Sequence, residues 1–196
     1  MSTQGDKKST SLFIYLAIFA VLIPINTLLV AYGEIPYSNA PGGVGLYTAA
    51  AFMIAFALWF GGWGVLAAYI GCFVGAGMLM GLPVEVNLYW SLADLWQALI
   101  PLVAFKAFDA DVGLKTKRDL WIFLCFGWLF NNMVGAGWGA SMLAVGGFAS
   151  WVDVPGIFSG WLISNLIVTI LITPVLLHYI TPYLQRAGVC VHRYWA

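Results

Sequence analysis

Asp94 is a carboxylic acid inside an otherwise apolar run, and its type and position are the strongest chemical signal in the sequence. A charged side chain in hydrocarbon costs about 2.5–3.5 kcal/mol on insertion scales, so we expect Asp94 to face a bundle interior or a wet cavity. Trp90 and Gln97 lie one helical turn before and after it, on the same predicted helix face. These residues are therefore predicted to hold a polar ligand, with a structural hydrogen bond of Asp94 as the alternative.

Further polar groups lie in a later apolar run, near the expected middle of a membrane. Asn131 belongs to a four-residue repeat with Gly127, Gly135 and Gly139, and Asn132 follows it. Glycines permit close helix approach and an asparagine amide can bond across the contact, so helix–helix packing is one interpretation of the repeat. A ligand cavity into which Asn132 projects is the other.

The last apolar run carries a similar stripe of Trp161, Asn165, Thr169 and Thr173, with Ser164 beside it. Asn165 is expected at the depth of the earlier asparagines, and interhelical hydrogen bonding is again the alternative to ligand binding. The full set of predicted ligand-binding residues is Asp94, Gln97, Trp90, Asn131, Asn132, Trp161 and Asn165. Trp90, Trp96 and Trp161 are the candidates to stack on the ligand or to close the site.

The composition indicates that membrane helices position these residues. The chain has 196 residues, of which 62% are hydrophobic and 8% are charged, whereas about 25% are charged in a typical soluble domain. The apolar runs cover about 12–32, 44–60, 63–81, 88–105, 119–148 and 156–183. A membrane-spanning helix needs roughly 20 such residues. We therefore predict an all-α integral membrane protein, a bundle of six transmembrane helices in contact with the lipid bilayer.

The cationic residues orient this bundle. They are Lys7, Lys8, Lys106, Lys115, Lys117, Arg118, Arg186 and Arg193. They fall in the N-terminal segment, one central loop and the C-terminal segment, and cytoplasmic loops are the ones that retain cations. Both termini are therefore predicted to be cytoplasmic, in a multi-pass protein of the cell membrane. The predicted parts are a cytoplasmic N-terminal tail (1–11), a six-helix membrane domain (12–183) and a cytoplasmic C-terminal tail (184–196).

Several functional classes lack their usual sequence signals. There is no basic stripe to neutralise phosphates, so we expect no nucleic-acid partner. Cys72, Cys125 and Cys190 do not have metal-ligand spacing, and His178 and His192 do not form a pair at matched depth for haem. No nucleophile and base can be paired from the sequence. We therefore predict that the protein is not an enzyme and has no cofactor or metal site.

The layout resembles a known group of membrane proteins. The stretch PGGVGLYTAAAFMIAFALWFGGWGVLAAYIGCFVGAGMLMG, followed by SLADLWQALIPLVAFKAF, joins two small-residue helices by a short glycine turn and then adds a helix with polar residues. This is similar to the substrate-binding (S) subunits of energy-coupling factor vitamin transporters and to related membrane-associated sensor domains. The resemblance implies a six-helix bundle with an outward-facing ligand pocket.

The resemblance also implies partner membrane subunits. S subunits often dock through an Ala-xxx-Ala pattern in their first helix, whereas Ala17 and Ala20 are three residues apart here. The leading hypothesis is a binding or transport subunit for a small solute, with its pocket between predicted helices 4, 5 and 6. A structural or accessory subunit of a larger membrane complex is one alternative. A sensor module that acts with a separate output protein is the other.

Overall fold

The computed structural model describes residues 12–36, 45–191 and 193–195, and most of them are helical. The elements are α1 (Leu12–Tyr32), β1 (Glu34–Pro36), β2 (Gly45–Tyr47), α2 (Ala49–Phe60), α3 (Gly62–Cys72), α4 (Val84–Trp90), α5 (Leu92–Ala107), α6 (Lys117–Ile122), α7 (Asn131–Val145) and α8 (Val154–Ala187). Wider π-helical turns extend α3 through Phe73–Met78 and join α6 to α7 through Phe123–Phe130.

Four helical stretches in the described part of the chain are long and apolar enough to cross a membrane. They are Leu12–Tyr32, Val84–Ala107, Lys117–Val145 and Val154–Ala187. The shorter apolar helices Ala49–Phe60 and Gly62–Met78 lie among them. The prediction of a mostly helical, multi-pass membrane protein is therefore confirmed. The count of six spans remains a prediction.

The helix α2 is short and is enclosed by the others. Its 12 residues rise only about 18 Å. It packs against α1, α3, α5 and α8, and Met53 and Ile54 have no exposed surface. A helix that is apolar on every side is typical of a buried core position. The predicted second helix is thus the centre of the bundle, and the longer helices pack around it.

The small-residue stripe of the predicted third helix packs against α1, as expected for close helix contact. A Cβ added to Gly71 would meet the side chain and backbone of Asn26. A Cβ added to Gly75 would lie 2.7 Å from Thr27 O. Neither position leaves room for a larger residue, so the stripe holds α1 against α3.

A short antiparallel β-hairpin follows α1, and the sequence analysis did not predict it. Glu34 of β1 pairs with Tyr47 of β2. The Ser164 hydroxyl of α8 donates to Gly45 O and accepts a hydrogen bond from Tyr47 N at 3.2 Å. One α8 side chain therefore holds β2 against the end of the bundle.

The described cationic residues gather at the opposite end. They are Lys106, Lys115, Lys117, Arg118, Arg186 and Arg193. Lys106 Nζ donates to Val191 O at 3.2 Å, and Arg118 donates to Phe108 O. Lys7 and Lys8 in the predicted N-terminal tail, and also His192, lie outside the described residues. The one-sided charge pattern thus corresponds to one physical end of the bundle for the residues that are described.

The C-terminal segment turns back onto this cationic end. The helix α8 continues past the predicted boundary at residue 183 and ends before Gly188, whose φ of 69° suits a left-handed C-cap. Tyr194 O then accepts a hydrogen bond of 2.6 Å from Gly62 N in the turn between α2 and α3. The predicted tail is therefore partly helical and partly packed on the bundle.

Candidate ligand-binding site

A cavity of about 280 Å³ lies under the hairpin, at the end of the bundle away from the cations. Residues of α1, α3, α4, α5, α7, α8 and both strands line it. The exposed residues Glu34 and Met80 stand where it reaches the surface. Its lining is thus wider than the three helices named from the sequence, because α1, α3 and the hairpin complete it.

Five of the seven predicted ligand-binding residues line this cavity. They are Trp90, Asp94, Gln97, Trp161 and Asn165. The predicted face of Trp90, Asp94 and Gln97 is brought together because α4 and α5 form an almost continuous helical stretch. Asn131 and Asn132 do not line the cavity.

Asp94 is held by a residue that the sequence analysis missed. Its side chain is 4% exposed, and the Tyr47 hydroxyl donates to Asp94 Oδ2 at 2.8 Å. The Cys72 thiol borders the same part of the cavity. A phenol inside the second predicted apolar run (44–60) was the signal available in the sequence, but its partner lies 47 positions away.

Asn131 and Asn132 lie behind Gln97, in contacts between helices. Asn132 Oδ1 accepts a 2.7 Å hydrogen bond from Gln97 Nε2, and Asn132 Nδ2 donates to Trp128 O at 2.7 Å. Asn132 Nδ2 also lies 3.3 Å from Thr169 Oγ1. Asn131 Nδ2 donates to the Gln97 backbone oxygen at 3.2 Å. We therefore assign both asparagines to a buried network joining α5, α7 and α8 rather than to the cavity lining.

This placement follows from the close approach of α7 to α5. A Cβ added to Gly135 would lie 2.6 Å from Gln97 Cδ, and one added to Gly139 would lie 3.5 Å from Ala93 Cβ. The glycine and asparagine repeat is thus a helix contact, which was the packing interpretation of that pattern. Because the two helices touch along this stripe, Asn131 meets the α5 backbone.

Asn165 differs from the other buried amides. It is 6% exposed and lines the cavity, yet its amide has no hydrogen-bond partner among the described residues. Its amide atoms reach the cavity space, whereas Trp90 Nε1, also of this lining, is a single buried donor without a partner in the described part of the chain. Asn165 is therefore the polar group of the cavity with the most unused bonding capacity.

The two tryptophans of the cavity touch each other. The ring centroids of Trp90 and Trp161 are 6.1 Å apart at an angle of 67°, which is a favourable edge-to-face geometry. Trp96, a further stacking candidate, lies outside the lining and contacts Trp138 at 6.0 Å. The aromatic part of the cavity is thus the Trp90–Trp161 pair together with the Tyr47 ring.

Removing the Ser164 hydroxyl is expected to loosen the hairpin over the cavity. Ser164→Ala deletes two hydrogen bonds to β2, each worth about 1 kcal/mol, so amide exchange at Leu46 and Tyr47 should quicken about thirtyfold. Hydrogen–deuterium exchange on peptides covering 45–48 measures this. Ser159→Ala is the matched control, because the Ser159 hydroxyl bonds only carbonyls of its own helix. Equal exchange in both variants would contradict the assigned role of Ser164.

A second, wider cavity of about 500 Å³ lies at the cationic end, between the 106–112 segment and the C-terminal segment. Its polar groups are largely engaged with neighbours. Lys106 Nζ donates to Val191 O at 3.2 Å, and Asp111 pairs with Lys115 at 2.9 Å. The amide that lines this cavity, Gln185, is exposed, unlike that of Asn165, so the cavity under the hairpin is the stronger candidate. Within the described ranges no group of His, Cys, Asp and Glu has the arrangement of a metal site.

Comparisons with known proteins give one structural match. No protein-family model matches the chain, and no curated protein matches it. The crystal structure at 2.1 Å of the S-component for biotin from an ECF-type ABC transporter is similar, with 20% sequence identity and a TM-score of 0.43. The match covers 87% of this chain and 94% of that one. That protein is an S-component, the class of protein that the sequence resembles.

Proposed function

We propose that this protein is a membrane-embedded binding subunit for a small solute, and that the cavity under the hairpin is its binding site. The observation that carries the proposal is the unpaired Asn165 amide in the same cavity as Asp94 and Gln97. An empty cavity is usually apolar, whereas ligand sites combine apolar walls with a few placed polar groups. The amide of Asn165 would therefore form its hydrogen bonds with a bound solute.

The direction of access follows from the cations. With the cation-rich segments in the cytoplasm, the hairpin end faces outward and the cavity opens away from the cell interior. Both termini are then cytoplasmic. A solute arriving from outside would enter beside Glu34 and Met80, which are exposed at the cavity edge. The packed hairpin stands over the solute and shields it from water.

Filling the cavity is expected to abolish solute retention. Asn165→Phe places an apolar ring in the space and removes no hydrogen bond, while Asn165→Ala leaves the space open. Protein purified in mild detergent is denatured, and the released small molecules are identified by mass spectrometry. We expect a solute with the wild type, less of it with Asn165→Ala, and at least a tenfold loss with Asn165→Phe. Equal retention by Asn165→Phe and the wild type would refute the site.

The same purification separates the accessory-subunit alternative. Stable partner chains without any retained solute favour a structural role, because the cavity would then have no occupant. A retained solute favours binding whether or not partner membrane subunits are present. Partner chains together with a solute indicate a binding subunit of a larger transporter or sensor.

A further inference from the structure

We infer that the cavity selects a small organic cation, namely a protonated amine with an apolar or aromatic body. The inference rests on the proposed function and adds the chemical class of the solute. It is carried by three features of the lining: its charge, the hydrogen-bonding atoms that it leaves unused, and its aromatic pair.

The charge of the lining is acidic. Asp94 lies in the wall and Glu34 at the edge. No Lys, Arg or His occurs among the described residues that line the cavity, and the sequence of 37–44 contains none either. An anionic solute would face a buried carboxylate without a compensating cation, which is costly at low dielectric. A cationic solute would pair with the carboxylate through a charge-assisted hydrogen bond.

The unused hydrogen-bonding atoms include acceptors. Asn132 must turn Nδ2 to the carbonyl of Trp128, because two oxygens cannot share a hydrogen bond there. Asn132 Oδ1 therefore faces Gln97, and Gln97 must donate a hydrogen bond to it from Nε2. This hydrogen bond fixes the orientation of the Gln97 amide, so Gln97 Oε1 is the atom that can accept a hydrogen bond from a solute in the cavity. Together with Asp94 and the Asn165 amide oxygen, it offers acceptors to the N–H donors of an ammonium group. The Asn165 amide nitrogen and Trp90 Nε1, which is buried without a partner among the described residues, remain as donors for an acceptor elsewhere on the solute.

The apolar part of the lining determines the size and character of the part of the solute that carries no charge. Trp90 and Trp161 form one edge of the cavity, and Ala93, Ala136 and Val30 add small aliphatic surfaces. A cation near an indole ring gains further electrostatic attraction. The volume of about 280 Å³ equals roughly nine water molecules at about 30 Å³ each. The space therefore suits a compact amine with one ring.

The test compares three probes of matched size. The wild-type protein in nanodiscs of zwitterionic phosphatidylcholine is titrated calorimetrically with 2-phenylethylammonium, 3-phenylpropanoate and 3-phenylpropanamide at pH 7.4. We expect the ammonium ion to bind at least tenfold more tightly than the carboxylate, with the neutral amide between them. Asn165→Phe is expected to abolish the heat from all three, which shows that they bind in this cavity.

Asp94→Asn tests the charge pairing directly. It keeps the size of the side chain and an oxygen that can accept from Tyr47, so it is expected to fold. It should weaken ammonium binding at least tenfold and change amide binding less than twofold. Glu85→Gln makes the same charge change at an exposed position outside the cavity, and it should leave all three affinities unchanged.

The outcomes separate the solute class from the proposed function. Carboxylate binding that equals or exceeds ammonium binding, and that Asn165→Phe abolishes, overturns the cationic class and leaves solute binding in place. Ammonium binding that Asp94→Asn does not weaken also overturns the inference. Absence of binding by every probe, with no retained solute after purification, counts against both proposals.

Discussion

Gly64→Val is expected to destabilise the protein by at least about 3 kcal/mol, at the upper end of overpacking effects. Gly64 lies in α3, directly over the α2 backbone. A Cβ at this position would contact Phe56 O and lie 2.7 Å from Ala57 N. Backbone atoms cannot rotate away as a side chain can, so α3 would have to move off α2. Because α2 packs against α1, α3, α5 and α8, this displacement would reach four of the helices that line the cavity.

The matched control is Gly156→Val, at an exposed position in the first turn of α8. A Cβ there meets nothing within 4 Å, and valine differs from glycine in helix propensity by only a few tenths of a kcal/mol. Thermal unfolding followed by tryptophan fluorescence in detergent, with size-exclusion chromatography for the folded fraction, measures both variants. A Gly64→Val protein with the unfolding midpoint of Gly156→Val would disprove the close packing of α2 and α3.

Gln97→Leu is expected to lower the free energy of unfolding by about 2 kcal/mol. The change leaves Asn132 Oδ1 buried without its 2.7 Å donor, and an unsatisfied buried group costs about 1–3 kcal/mol. Interhelical hydrogen bonds within membranes average only about 0.6 kcal/mol. Most of the expected loss therefore comes from the unpaired amide, not from the missing bond. Asn132→Leu should lower the free energy of unfolding by a similar amount, because it leaves Gln97 Nε2 without an acceptor.

The double variant Gln97→Leu/Asn132→Leu distinguishes these contributions. If the stranded amide carries the cost, the double variant is less destabilised than the sum of the single variants by about 1 kcal/mol or more. Equilibrium unfolding in mixed micelles gives all three values. Additive losses would mean that the two amides act independently and that Asn132 does not orient Gln97. The orientation of the Gln97 carbonyl toward the cavity would then lose its support.

The local sequence pattern was sufficient to predict the helices and the helix face that carries Trp90, Asp94 and Gln97. Apolar runs depend on neighbouring residues alone, so the helical stretches lie close to where the sequence placed them. The spacing of Trp90, Asp94 and Gln97 reflects the helical repeat, and all three line the cavity. The extended ends of α8 and the π-helical turns were not predicted, because they depend on capping and on packing against other helices.

The remaining parts of the site depend on contacts between distant segments. Tyr47 reaches Asp94 across 47 positions, and Ser164 reaches Gly45 across 119. A three-residue strand such as β2 has too weak a local pattern to be recognised without the partner strand and the α8 hydroxyl that hold it. Periodicity could not indicate these partners, since it describes only one element at a time.

The sequence by itself determined that this is a helical membrane protein, that its cations lie toward one side and that Asp94 needs a polar environment. These properties follow from the cost of charge in hydrocarbon, which acts on each residue separately. The tertiary structure decided which polar groups share the cavity. Close packing at Gly135 places Asn131 and Asn132 in helix contacts, while Asn165 lines the same cavity as Asp94 without a hydrogen bond to the described residues. Depth in the membrane is a property of one helix, but facing a common cavity depends on how several helices pack.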